Sequence, residues 1–331
     1  MSLIRMKFLT ALLLLFTGVL PLFARVGIHM SVNRGVFMKH EHIYVCVTLR
    51  NDSGRPLLFG RDPELQGFLM FDVRDAVNRP VPKRPDAEIS VTGLMLAPGE
   101  VRRLVFRLSD HFRLDRTGRF RAYAYVSHNL LKHEFRSGEV VFEISKGSEV
   151  WSRTVGVPAI DKTNASREEL KERTYSIRTL GERDAIGYYL IVEDERTIYG
   201  VARIGSVIGY EKFQAEIDMF SRLHLLIPVA PKVYHYLAYN HLGETLDSSF
   251  WKSGRSIPTL IRDNKNGQVK RAGGVPARPG VDYHLRKADE ITVSDILNDR
   301  PRQSNAPKRN SGVVDLGEGV MADAPGSRDS E

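Results

Sequence analysis

The sequence predicts a mainly β protein: an N-terminal β-sandwich, a short connecting helix, a second antiparallel β-meander domain and a disordered C-terminal tail. Short runs in which apolar residues alternate with others recur between turn formers across most of the chain, the period expected of half-buried strands. Composition changes abruptly at Val275, after which Tyr283 is the one aromatic residue and prolines and glycines recur. Cys46 is the single cysteine, so no intrachain disulfide can form and apolar burial has to hold the fold together. The roughly 250 residues between the leader and the tail suffice for two domains with their own cores.

Residues 1–24 read as a signal peptide. Arg5 and Lys7 precede an apolar run, and Ala24 offers a small residue for cleavage. Thr17, Gly18 and Pro21 interrupt the run, which falls short of the roughly 20 apolar residues of a spanning helix. An uncleaved anchor is the alternative. Cleavage predicts a soluble periplasmic or secreted protein without stable membrane insertion, and nucleic acid is not an expected partner. The formal charge is +8; the segment 275–331 has 8 Lys/Arg against 10 Asp/Glu, so the body carries the positive excess. A basic body attracts anionic envelope polymers or phospholipid headgroups, although its cations are interspersed with acids in the manner of a solvated surface.

The first domain is expected over 25–147. Ile43, Val45, Val47 and Leu49 alternate; so do Phe120, Ala122, Ala124 and Val126, then Val140, Phe142 and Ile144. Asn51-Asp52-Ser53-Gly54, Ala97-Pro98-Gly99-Glu100 and Thr117-Gly118 supply turns. Cys46 lies within the first of these strands and reads as a packed thiol. Residues 148–173 are expected to be a linker, with a capping box at Ser166 and Glu169 opening a short helix that runs to about Arg173. The second domain is expected over 174–274, with strands at 188–193, 197–204, 223–227, 233–239, 245–251, 259–262 and 268–271. Asn266-Gly267 joins the last two as a hairpin turn. In the tail, 275–331, the segment 291–297 is the one candidate docking motif.

The strand ending in Asn51-Asp52-Ser53, the segment Leu96-Ala97-Pro98-Gly99-Glu100, Leu114 followed by Gly118-Arg119-Phe120, and the closing strand at 140–144 resemble immunoglobulin-like or fibronectin-like modules of bacterial envelope proteins. Phe120 stands where many such modules carry a tyrosine whose hydroxyl ties a corner to upstream backbone. The resemblance implies a domain that binds, spaces or inhibits. Residues 218–274 weakly resemble one blade of a propeller repeat, but the second domain is too short for the four or more blades a propeller needs.

No motif specific to a reaction is present. His40-Glu41-His42 lacks the third and fourth convergent ligands of a zinc site, and His133-Glu134 is not followed by a second histidine at Ser137. Neither a metal nor a cofactor is expected. Tyr234, Tyr236 and Trp251 form an aromatic cluster suited to stacking on sugar rings or anchoring a protein partner. Core packing is the competing reading. Asp218 and His224 are the alternative, catalytic candidates. The leading expectation is a non-catalytic binding or assembly factor of the bacterial envelope, contacting an envelope protein or glycan. An envelope glycan or peptide hydrolase and a protease inhibitor acting through the first domain remain as alternatives.

Overall fold

The computed structural model describes residues 25–60, 66–85, 89–158, 170–209 and 211–284. The expected signal peptide, the capping box at 166–169 and the docking motif at 291–297 lie outside the described residues. What is described is mainly β and antiparallel. In chain order the first half comprises β1 (Val26–Val32), β2 (Val36–Met38), β3 (Tyr44–Asn51), β4 (Leu57–Leu58), β5 (Gly67–Asp75), β6 (Met95–Leu96), β7 (Val101–Arg107), the single-turn helix α1 (Leu108–His111), β8 (Gly118–His128), β9 (Phe135–Arg136) and β10 (Val140–Ser145).

Strands β1, β3 and β7 pair side by side in one sheet. The other has the order β2-β10-β8-β5, with β2 parallel to β10 and β9 added to β8. Alternation explains why the two sheets pack. Phe120, Ala122, Ala124 and Val126 of β8 face Val45, Val47, Leu49, Leu104 and Phe106 across one buried core, and the intervening residues of β8 face outward. Phe120 contributes its ring to that core, stacked on Phe142 with centroids 5.6 Å apart. Asn51 is fully buried, and its Nδ2 donates to the carbonyls of Arg55 and Leu96 at 2.7 and 2.8 Å, so one amide joins two of the turns read from the sequence. Cys46 is buried beside Val105 and Tyr44 on the outward side of β3.

The second half begins earlier than the sequence suggested. Its strands are β11 (Ser148–Pro158), β12 (Leu170–Gly181), β13 (Ile186–Glu193), β14 (Ile198–Ser206), β15 (Gln214–Ile217), β16 (Leu223–Ala230), β17 (Val233–Tyr239), β18 (Thr245–Lys252), β19 (Thr259–Arg262), β20 (Val269–Ala272) and β21 (Val275–Pro276). Strands β11 to β14 form a consecutive meander; β15 to β18, with β21 added at the edge, form a second sheet. Tyr175, Ile177, Leu190 and Val192 meet Leu223, Leu225, Ile227 and Leu237 between them.

Two expectations therefore change. The expected linker supplies two paired strands, and no helix continues to Arg173: Leu170 to Arg173 already lies in β12, opposite Pro158 to Val155 of β11. The helix signal was local, whereas alternation at Arg173, Tyr175 and Ile177 buries one face of a strand, and tertiary burial decided the outcome. The chain also remains packed beyond Gly274. Lys252 bonds Asp282 at 2.6 Å, and the buried ring of Tyr283 stacks on Phe250 with centroids 4.5 Å apart.

The two halves meet across β2 and the outer face of β13. Met38 is fully buried against Leu180, Tyr189 and Ile191. Above it Arg34 reaches from the first half to Glu41, the Tyr189 hydroxyl and Glu182, while Arg203 bonds Glu182 through two nitrogens at 2.7 and 2.8 Å. Gly147, with φ +62°, makes the crossing. A Cβ there would lie 2.5 Å from the Thr179 carbonyl oxygen and 2.9 Å from the Met38 methyl.

Candidate functional site

Strand alternation in the second half places the sequence-predicted residues. On β16, Leu223, Leu225 and Ile227 enter the core between the sheets, so His224 and Leu226 face the other way. On β17 the same logic sends Tyr234, Tyr236 and Ala238 to that second face, where Trp251 and Leu260 cover them. Tyr234 lies directly opposite Trp251 in the ladder. Both tyrosines are buried, at 9 and 8% exposure, and Trp251 is half-buried beneath the Arg271 guanidinium, 3.2 Å from its ring centroid. The structure thus brings the three aromatics together as a small second core, with little ring surface left for a ligand.

Asp218 and His224 join the same cluster. Tyr236 Oη lies 2.8 Å from His224 Nδ1, and His224 Nε2 lies 3.3 Å from Asp218 Oδ2. Facing a carboxylate oxygen, Nε2 is placed as the donor, and Nδ1 faces the tyrosine hydroxyl. Burial, with the nearby Asp247 carboxylate, raises the Tyr236 pKa and keeps that hydroxyl protonated.

The other Asp218 oxygen, Oδ1, accepts from the backbone N–H groups of Phe220 and Arg222, both at 2.9 Å. This is the side-chain-to-backbone pattern that stabilises a tight turn. The same turn is held at Ser221, whose φ is +59°: its carbonyl accepts from Tyr175 Oη at 2.5 Å and its hydroxyl donates to the Gly156 carbonyl at 2.8 Å. Each polar atom of the Asp218–His224–Tyr236 chain is thus committed to another part of the fold. The turn it holds projects Met219 and Phe220 into solvent, at 59 and 49% exposure.

The His40-Glu41-His42 segment divides. Glu41 points into the junction, where burial raises its pKa against the opposing pull of Arg34. His40 and His42 line a cleft of about 410 Å³ that Glu41 also borders, with Arg84, Ser109, Asp110, Leu114 and Asp115. Both imidazoles have lowered pKa values, by burial first and then by Lys39 at His40 and Arg107 at His42, so neutral rings face the cleft. Among the described residues no group of three or more His, Cys, Asp and Glu side chains converges as a metal site.

A feature not identified in the sequence is the outward face of β8. Arg119, Arg121, Tyr123 and Tyr125 occupy the positions between the buried Phe120, Ala122, Ala124 and Val126. Arg136 of β9 lies over the Tyr123 ring at 4.9 Å, and Phe68 and Met70 of β5 are exposed beside them. The signal was present in the complementary half of the same alternation. No protein-family model matches the chain, and no curated protein matches it.

Proposed function

We propose that this chain is a non-catalytic binding or assembly factor of the bacterial cell envelope, exported and then released by cleavage near Arg25. The observation that carries this reading is the use made of Asp218 and His224. Both are buried and their polar atoms serve a turn and a tyrosine, so the pair offers no free base or nucleophile at a surface. Two packed, mainly antiparallel layers in the first half support a likeness to immunoglobulin-like modules, which present surfaces more often than reaction centres. The apolar leader supports export.

The test combines location and chemistry. Protein from its native cell should have an N-terminus near Arg25 and stay in the soluble envelope fraction, and purified protein should release no product from peptidoglycan or envelope peptides. Turnover by the wild type that disappears in a folded Asp218→Asn variant would replace this reading with the hydrolase. An intact leader in the membrane pellet would replace release with anchoring.

A further inference from the structure

We infer that the outward face of the β2-β10-β8-β5 sheet binds an acidic polysaccharide, with arginines meeting its carboxylates and aromatic rings meeting its sugar faces. This deepens the binding role proposed above and rests on it. Pairing registers place the groups. Met70, Tyr125 and Arg136 form one row across three strands, Asp72 and Tyr123 the next, and Arg74, Arg121 and Val141 a third, with Arg119 opposite Glu143 at the end. The span from Arg119 to Tyr125 along β8 is about 20 Å at the usual strand rise, room for several sugar rings laid end to end.

Charge on this face is unevenly satisfied. Asp72 is engaged by Arg74 at 2.8 Å, and Glu139 accepts from the Tyr123 hydroxyl. Among the described residues Arg119 and Arg121 meet no carboxylate within ion-pair distance, and Arg136 rests on a ring. Arg121 lies directly opposite Arg74, whose charge Asp72 already meets, so in that row Arg121 is the cation left for an anionic ligand. Guanidinium groups suit carboxylates because their paired N–H donors match both oxygens. Phe68, Met70 and Val141 are each more than two-fifths exposed, which leaves apolar surface for the C–H faces of sugar rings. Unpaired cations between aromatic and apolar side chains therefore favour a carboxylated sugar chain over either a neutral glycan or a structureless polyanion.

The test is electrophoresis of the full mature chain through gels containing polygalacturonate, dextran or polyphosphate, with affinities then measured by titration calorimetry. Wild type should be retarded by polygalacturonate and not by dextran, with retardation falling as salt rises. Arg121→Gln combined with Arg136→Gln should weaken binding at least tenfold. Tyr125→Ala should weaken it severalfold while leaving thermal unfolding unchanged, and Arg153→Gln on exposed β11 should have no effect. Equal retardation of wild type and the double variant would overturn the assignment. So would polyphosphate binding as tight as polygalacturonate binding together with an inert Tyr125→Ala, since that is charge alone. Failure to bind any polymer would also overturn it while leaving a protein-directed binding role standing. Depolymerisation of a bound polymer would instead defeat the non-catalytic reading and leave the surface assignment intact.

Discussion

At Asp218 one carboxylate accepts two backbone N–H bonds, a histidine proton and a longer approach from the Arg222 Nε at 3.9 Å. Removing it leaves His224 and two turn amides without their acceptor inside a closed surface. Asp218→Ala should therefore cost about 2–3 kcal/mol in urea denaturation. If Asp218 acted mainly as a proton carrier, folding stability would stay near that of the wild type. Trp251 poses the converse question. Its ring packs on Tyr234, Tyr236 and Leu260 and carries Arg271 on its face. Trp251→Ala should then lower stability by about 2–4 kcal/mol through the cavity it leaves. A variant as stable as the wild type but defective in ligand capture would return Trp251 to the role of a surface anchor.

Among the elements, the chain after Gly274 shows where composition stops being a guide. The short strand β21 pairs with Trp251 and Lys252, and Tyr283 stacks on Phe250, which itself stacks on His235. Truncation after Gly274 should accordingly lower the melting temperature by several degrees, and Tyr283→Ala alone should reproduce much of that loss. Truncation after His284 serves as the comparison, and equal stability of the two truncated chains would count against the packing role. The strands of both halves were legible because alternation is written directly into residues such as Phe120, Ala122 and Ala124 or Leu223, Leu225 and Ile227. Strands β11 and β12 were harder to read. Ser148, Glu149, Arg153 and Thr154 are exposed, so only part of β11 shows a buried period, while the capping-box residues nearby gave a competing local signal. Asp218, His224 and Tyr236 were individually visible, but their contact depends on the register between β16 and β17, which turn chemistry and burial settle only in the folded sheet.

For the molecule as a whole, the junction joins two cores through ionised groups largely removed from water. Arg34, Glu41, Glu182 and Arg203 have side-chain exposures between 7 and 15%. Burial pushes Glu182 upward, but Arg203, Tyr189 and Arg34 outweigh it and hold its carboxyl below the usual range. Arg34→Met would leave the buried Glu41 carboxylate with only the Met38 N–H as a partner, while Glu182 keeps Arg203 and Tyr189, so it should cost about 3–5 kcal/mol. The two halves should then unfold in separate calorimetric steps; a single unchanged transition would show that Met38 and its apolar neighbours suffice. At alkaline pH the buried tyrosines dominate. Burial raises Tyr175 and Tyr189, and pushes Tyr239 up to about 12. The unfolded chain loses these protons first, near the ordinary tyrosine value of about 10. The stabilising contribution is therefore complete below that pH and is lost as pH rises towards 12. Absorbance at ionised-tyrosine wavelengths should rise with the loss of near-ultraviolet circular dichroism, whereas full ionisation in a still-folded protein would contradict the burial described.

The parallel pairing of β2 with β10, Val36 opposite Glu143, also sets a timetable. Strands β11 to β14 can zip as successive hairpins, each needing only its neighbour, whereas β2 has to wait for the last strand of its own half to emerge. Until then β2 cannot be docked, and β2 is the strand that carries Met38 to the junction. A chain that folds as it lengthens from its N-terminus would thus leave this sheet incomplete until β10 arrived. The two halves would lock together only once β13 had followed β10, which makes the interval before then the period when the chain is most in need of protection from aggregation.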